Sequence, residues 1–283
     1  MKIMVTGANG QLGQELVRQL SSSEHELFAF TKTELDITDI EKVVAVCNDI
    51  QPNIIINAAA YTNVDGAETN QELAFRVNGI GQRNLAVAAE KIGAKICYIS
   101  TDYVFNGQAN SPYTEYMNVD PLGIYGQSKY EGEFLTKTLS TKYFIVRTAW
   151  VYGEFGPNFV KTMLKLAEEK PEIGVVHDQI GSPTYTVDLA EFLIELVQTE
   201  KYGIYHCTNS GTCSWYEFAN EIFKVTEKDI VVNPLTSEQF PRPAKRPTYS
   251  VLGDLSLHVN GFTPRRHWKD ALYDYLNKNN NLL

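Results

Sequence analysis

Long apolar runs, clustered positive charge and closely paired cysteines are all missing from this 283-residue chain. No run approaches the roughly 18 apolar residues of a membrane span. The N-terminal "MKIMVTGANG" reaches glycine after a four-residue apolar run, too short for a secretory signal. A cytoplasmic protein is therefore expected. Lys and Arg number 25 against 34 Asp and Glu, a net charge of −9, and the acids are scattered rather than gathered in a tail. No nucleic acid and no membrane surface is expected as a partner, because both select clustered cations. Cys47, Cys97, Cys207 and Cys213 lack the spacing of a zinc site and two of them lie in apolar runs, so buried, reduced thiols are expected.

The chain does have a regular alternation in its first half. The short apolar stretches 3–7, 26–30, 53–60, 95–100 and 143–153 are too continuous for strands with one wet face and read as buried parallel strands. Segments with helical spacing lie between them, which predicts right-handed crossovers and an α/β, doubly wound parallel (Rossmann) sheet. After residue 153 the rhythm breaks. Residues 233–250 hold four of the eleven prolines and read as an irregular surface segment. The expected organisation is a dinucleotide-binding Rossmann domain over 1–150, with a returning element near 180–208, and a smaller, mainly substrate-binding domain over 151–283.

"TGANGQLG" places Gly7, Gly10 and Gly13 between the first strand and the first helix. A dinucleotide site needs that context: a tight turn, a backbone that can approach pyrophosphate, and a helix N-terminus with free N–H groups. At the end of the second strand a carboxylate would accept from a ribose 2′-hydroxyl and repel a 2′-phosphate. "LFAFTKTELD" puts Thr31 and Lys32 there instead, so NADPH is the expected cofactor and NADH the alternative. Asp36 and Ile37 resemble the pair that commonly flanks the adenine.

Tyr125 and Lys129 in "YGQSK" are four apart and share a helical face. An ammonium about 5 Å from a phenol, at an effective dielectric of about 20, favours phenolate by roughly 3 kcal/mol, an upper bound of about two pKa units. Taken alone, a Tyr-x-x-x-Lys reads better as a solvated surface helix. Thr101, just past the fourth strand where a doubly wound sheet opens its crevice, adds a hydroxyl for a substrate carbonyl or is simply a strand-end residue.

With these features in chain order, the sequence resembles the extended short-chain dehydrogenases/reductases. Within them, "STDYVFNG", "RTAWVYG", "DQIGSPT" and "RPTYSVL" are similar to the dTDP-4-dehydrorhamnose reductase family, and the likeness runs through nearly the whole chain. The resemblance implies reduction of the C4 ketone of a nucleotide-linked 4-keto-6-deoxysugar, dTDP-4-dehydro-L-rhamnose, in the synthesis of L-rhamnose donors for a surface polysaccharide. It implies that Tyr125 donates the proton, that Lys129 lowers its pKa and holds the nicotinamide ribose, and that Thr101 orients the ketone. Gly10, Gln11, Leu12, Ala60, Tyr61 and Thr62 match positions that touch the cofactor; Asp102 and Trp150 match positions that touch the sugar nucleotide. Trp150 is otherwise a core aromatic, and Arg246, beside Lys245, is either a diphosphate ligand or part of a solvated basic loop. Some relatives are described as dimers bridged by magnesium through glutamates. Glu15 matches one such position and Glu191 is a candidate second, but a lone surface glutamate is the simpler reading and no metal is assigned; a homodimer stays open.

Two other functions remain as alternatives. Dehydratases of similar sequence carry Asp-Glu after the equivalent threonine, whereas this chain has Thr101-Asp102-Tyr103. A nucleotide-sugar 4-epimerase with a tightly held NAD is the nearer enzyme alternative. A non-catalytic subunit resembling the regulatory subunit of methionine adenosyltransferase would not need to keep Thr101, Tyr125 and Lys129 together.

Overall fold

The computed structural model describes residues 1–279. Five parallel strands follow the expected runs: β1 (Lys2–Thr6), β2 (Glu26–Phe30), β3 (Ile54–Asn57), β4 (Lys95–Thr101) and β5 (Tyr143–Thr148). A sixth, Gly203–His206, pairs in parallel with β5, so the sheet runs Gly203–His206, β5, β4, β3, β1, β2. β1 and β3 lie in the middle of the sheet, and their runs "IMV" and "III" are completely or almost completely buried, which is why they show no polar alternation. Helix α1 (Gln11–Leu20) and the helix Thr186–Val197 cover one face with Leu12, Leu16, Leu189 and Leu193. Helix α2 (Ile40–Ile50) and the helix Gln82–Ile92 cover the other with Val43, Cys47, Leu85 and Ala89. The order reverses between β1 and β3, and the crevice beyond the carboxyl ends of the strands there is where an open α/β sheet receives ligands.

Two stretches depart from their expected form. The long helical segment around 71–92 is broken by a π-helical turn, Arg76–Gly81, which turns Asn78 inward. Such turns are frequent at functional sites. The strand expected over 143–153 stops at Thr148 and resumes as Val151–Tyr152, because Trp150 between them adopts a left-handed conformation, φ 49°. A second apolar core, with Tyr152, Met163, Phe218, Trp268 and Tyr275 in it, joins the helices Phe159–Glu169, Trp215–Val225 and Trp268–Lys278. The four cysteines are buried and free, as expected. Among the described residues no helix is long and apolar enough to cross a membrane.

Candidate active site

The cradle at the end of β1 is built by glycine. Gly7 has φ +71°, and any Cβ there would strike the backbone of Ala58 and Ala59; one on Gly13 would strike the carbonyl of Gly7. A Cβ on Gly10 would meet only Gly7 O, at 3.2 Å, and otherwise project into open space. Gly10 is the N-cap of α1 and supplies no side-chain cap, so the first N–H groups of the helix are left for an anion. These residues fit the pyrophosphate of a dinucleotide.

Two adjoining cavities share Asn9, Gly10 and Ala58–Ala60. The smaller, about 320 Å³, takes in Lys32, Asp36, Ile37 and Tyr61. Thr31 is not among its walls. Its hydroxyl donates to Glu34 Oε2 at 2.7 Å and its N–H to the same oxygen at 2.8 Å. The expectation of a corner free of acid is thereby corrected: the backbone turns through Thr31–Glu34 and brings a carboxylate three residues on back to the strand end. Lys32 alone of the expected pair faces the cavity.

The larger cavity, about 550 Å³, is lined by Gln11, Leu12, Thr62, Thr101, Asp102, Tyr125, Lys129 and Trp150. Residues from positions 11 to 150 thus meet in one space. Asn9, Ser100, Thr148 and Pro157 also line it and were not singled out in the sequence; Asn9 and Ser100 sit inside the quoted "TGANGQLG" and "STDYVFNG" stretches, and their position next to the motif residues was the available signal.

Tyr125 and Lys129 project from the helix Ile124–Leu139. Its capping position, Gly123, has no side chain, and the carboxylate of Glu68 accepts from the Ile124 N–H at 2.9 Å in its place. Asn78 bonds to both the N–H and the carbonyl of Tyr61, at 2.8 and 3.0 Å, and donates to Ser128 Oγ at 3.0 Å, tying the loop after β3 to this helix. The Tyr125 ring meets Tyr103 edge-on at 5.5 Å.

The electrostatics differ from the expectation in one important respect. Burial pushes the Tyr125 phenol up to about 12, with the Thr101 hydroxyl pulling it down and the Asp102 carboxylate adding to the rise. Lys129 is not among these influences. Burial also pushes Lys129 down to about 7, with Glu133 pulling it up. Its Nζ donates to the carbonyl of Ile99 at 2.6 Å and lies 4.1 Å from the ring centre of Tyr98, not Tyr125. The protein's own groups therefore hold the phenol protonated near neutrality, because desolvation of the half-buried Tyr125 outweighs the pull of Lys129, a buried amine whose own charge is half-suppressed.

Thr101 Oγ1 donates to Asp102 Oδ1 at 2.9 Å and accepts from the Tyr103 N–H at 3.2 Å. One hydroxyl proton cannot serve Asp102 and Tyr125 together, and the short contact assigns it to Asp102. Burial in turn pushes Asp102 up to about 6, against the pull of the Ser250 and Thr101 hydroxyls.

Arg246 stands outside both cavities. It pairs with Asp65 at 3.1 Å, alongside Arg242, which reaches the same carboxylate. The loop around it is largely exposed, and the half-buried Arg246 itself lines a separate groove of about 560 Å³ whose apolar walls include Phe159, Met163, Val175, Trp215 and Leu235. Glu15 is buried rather than on the surface, taken by Arg18 and Gln19 at 2.6 Å each, and Glu191 is exposed. Among the described residues no three His, Cys, Asp or Glu are grouped to hold a metal.

The chain matches the family model described as the RmlD substrate binding domain over residues 1–281. It is 48% identical over 275 residues to the spore coat polysaccharide biosynthesis protein SpsK of Bacillus subtilis, covering 97% of this chain and 96% of that one. It is 46% identical over 264 residues to a dTDP-4-dehydrorhamnose reductase of Aggregatibacter actinomycetemcomitans, covering 89% and 90%. A crystal structure of dTDP-4-dehydrorhamnose reductase from Bacillus anthracis in complex with NADP superposes with a TM-score of 0.96 at 48% identity, over 98% of this chain and 99% of that one.

Proposed function

Starting from the fact that this chain belongs to the RmlD substrate-binding-domain family, we propose that it reduces the C4 ketone of dTDP-4-dehydro-L-rhamnose with NADPH. The observation that carries the reading is the meeting of Thr101, Tyr125, Lys129 and Trp150 in one cavity that opens onto the glycine cradle. A 4-epimerase and a non-catalytic subunit have no observation in their favour beyond the fold.

NADPH, when bound, supplies the hydride. Its pyrophosphate would lie against Gly10, Gln11 and Leu12, its adenosine end against Lys32, Asp36 and Ile37, and its nicotinamide ribose against Lys129. As the ketone oxygen gains charge, Tyr125 hands it the phenol proton. An alkoxide is a much stronger base than a phenolate, so transfer is downhill even from a phenol raised to about 12, and that rise keeps the donor loaded beforehand. Thr101 assists by turning its hydroxyl from Asp102 to the oxyanion, a rotation made easier when Asp102 is protonated. The sugar lies along Trp150, and the nucleoside diphosphate extends into the groove bounded by Phe159, Trp215 and the Arg242/Arg246 pair, where planar cations suit phosphate.

The test is oxidation of NADPH, followed by absorbance, with dTDP-4-dehydro-L-rhamnose as substrate and the product sugar identified by NMR. Turnover to dTDP-L-rhamnose is expected. No oxidation, or turnover with a copurifying NAD and no net consumption of NADPH, contradicts the reading.

A further inference from the structure

Trp150 and Trp215 come from distant parts of the chain and form one object. Their indoles stack with ring centroids 3.6 Å apart and planes 10° from parallel. Trp150 lines the reaction cavity and Trp215 the neighbouring groove, so the stacked pair joins the walls of the two. Phe159 backs Trp215, at 4.6 Å between ring centres.

The stack is held from more than one side. Trp150 has φ 49°, a left-handed backbone that a bulky residue adopts only where its surroundings impose it. Its carbonyl accepts from the Thr184 N–H at 3.1 Å. A Cβ on Gly181 would come within 2.6 Å of Trp150 Cε2, so the indole fills the space that glycine leaves. Gly181 pairs across a short antiparallel ladder with Cys213, and Ser214 then caps the helix that begins at Trp215 through a reciprocal capping box with Glu217. The strand that clears room for Trp150 and the helix that presents Trp215 are thus bonded to each other.

We propose that Trp215 is a positioning residue that acts through Trp150: by stacking on it, Trp215 fixes the wall along which the sugar lies and so decides which face of the C4 ketone is presented for reduction. The inference rests on the proposed function. Either face gives the same balance, a new C4–H bond from hydride and a new O–H bond from the Tyr125 proton, so the ratio of C4 epimers reports the pose of the sugar and not the chemistry. With Trp150 clamped, one epimer predominates. With the clamp opened, the ring can turn over and the share of the second grows.

The experiment measures the C4 epimer ratio of the product, by NMR, for wild type, Trp215→Phe, Trp215→Ala and Gly181→Ala, with NADPH and the keto sugar nucleotide. Far-ultraviolet circular dichroism reads the stack independently as an exciton couplet; Trp268 stands apart, edge-on to Phe218. Expected are one predominant epimer and a couplet from wild type, the wild-type epimer ratio in Trp215→Phe, where a ring still stacks on Trp150, and loss of the couplet in Trp215→Ala. The minor epimer should rise about threefold to tenfold in Trp215→Ala, the ratio that one aromatic pair is worth. Gly181→Ala, which pushes the indole from its other side with Trp215 intact, should raise the minor epimer too, and it carries the test if Trp215→Ala does not fold. A wild-type epimer ratio from a folded Trp215→Ala that has lost the couplet, or from a folded Gly181→Ala, overturns the inference alone. Absence of any product from wild type overturns the proposed function and the inference with it.

Discussion

Arg147 closes a two-point clasp on Glu133: Nε donates to Oε1 at 2.8 Å and Nη2 to Oε2 at 2.7 Å, with both side chains at most 2% exposed. Ser100 Oγ adds a third bond to Oε1 at 2.6 Å, and the guanidinium also faces the His206 ring at 3.3 Å. Burial, with the Arg147 charge adding to it, pushes His206 down to about 3, so it stays neutral beside that cation. The clasp lies beneath the cavity floor, one helical turn beyond Lys129.

Removing one member of such a pair leaves the other charged and unpartnered. Glu133→Ala is expected to cost about 3–5 kcal/mol in urea denaturation, and replacing both Glu133 and Arg147 by methionine should cost much less than the sum of the single changes. Additive losses would contradict this account of the pair.

Lys129 gives a pH prediction. Its folded-state pKa of about 7 lies below the ordinary 10.5, so between those values the unfolded chain binds the extra proton. Stability contributed at this site therefore rises with pH above 7, at up to about 1.4 kcal/mol per unit, and is flat below. Lys129→Met has no such group. The stability of wild type minus that of the variant should grow by about 2 kcal/mol or less from pH 7.0 to 8.5, and subtraction removes the groups the two proteins share. A difference that shrinks over that interval would show that the amine is not desolvated as described.

The proposed binding of NADPH puts its 2′-phosphate against Lys32, which lines the smaller cavity at the end of β2. With Thr31 taken by Glu34, Lys32→Ala should weaken NADPH binding by about tenfold or more, the worth of one charge-assisted hydrogen bond, and leave NADH nearly unchanged. Fluorescence titration of the two cofactors separates the outcomes; equal losses would place Lys32 elsewhere.

Much of this was legible from the chain. Continuous apolar runs gave the five strands, and glycine spacing gave the cradle, because both depend on neighbours within about ten residues. The helix bearing Tyr125 and Lys129 followed from its periodicity. What was hidden depends on distant partners. Nothing near Arg246 announces Asp65, 181 residues earlier, and nothing in "YGQSK" shows that its lysine is directed to a carbonyl on β4. The same holds for Trp150, whose left-handed backbone answers to Trp215 and Gly181. The short-range estimate of a lowered phenol pKa failed for a related reason: spacing shows which side chains share a face, whereas desolvation depends on everything packed around them.

The central claim is that Tyr125 supplies the proton. The measurement that tests it most directly compares NADPH oxidation by wild type and Tyr125→Phe, with the keto sugar nucleotide and cofactor both saturating. Phenylalanine keeps the ring packed on Tyr103 and removes only the hydroxyl. The account predicts a loss in kcat of at least ~10²-fold with cofactor affinity preserved; a variant that turns over within about threefold of wild type, far inside the range a positioned acid contributes, would contradict it.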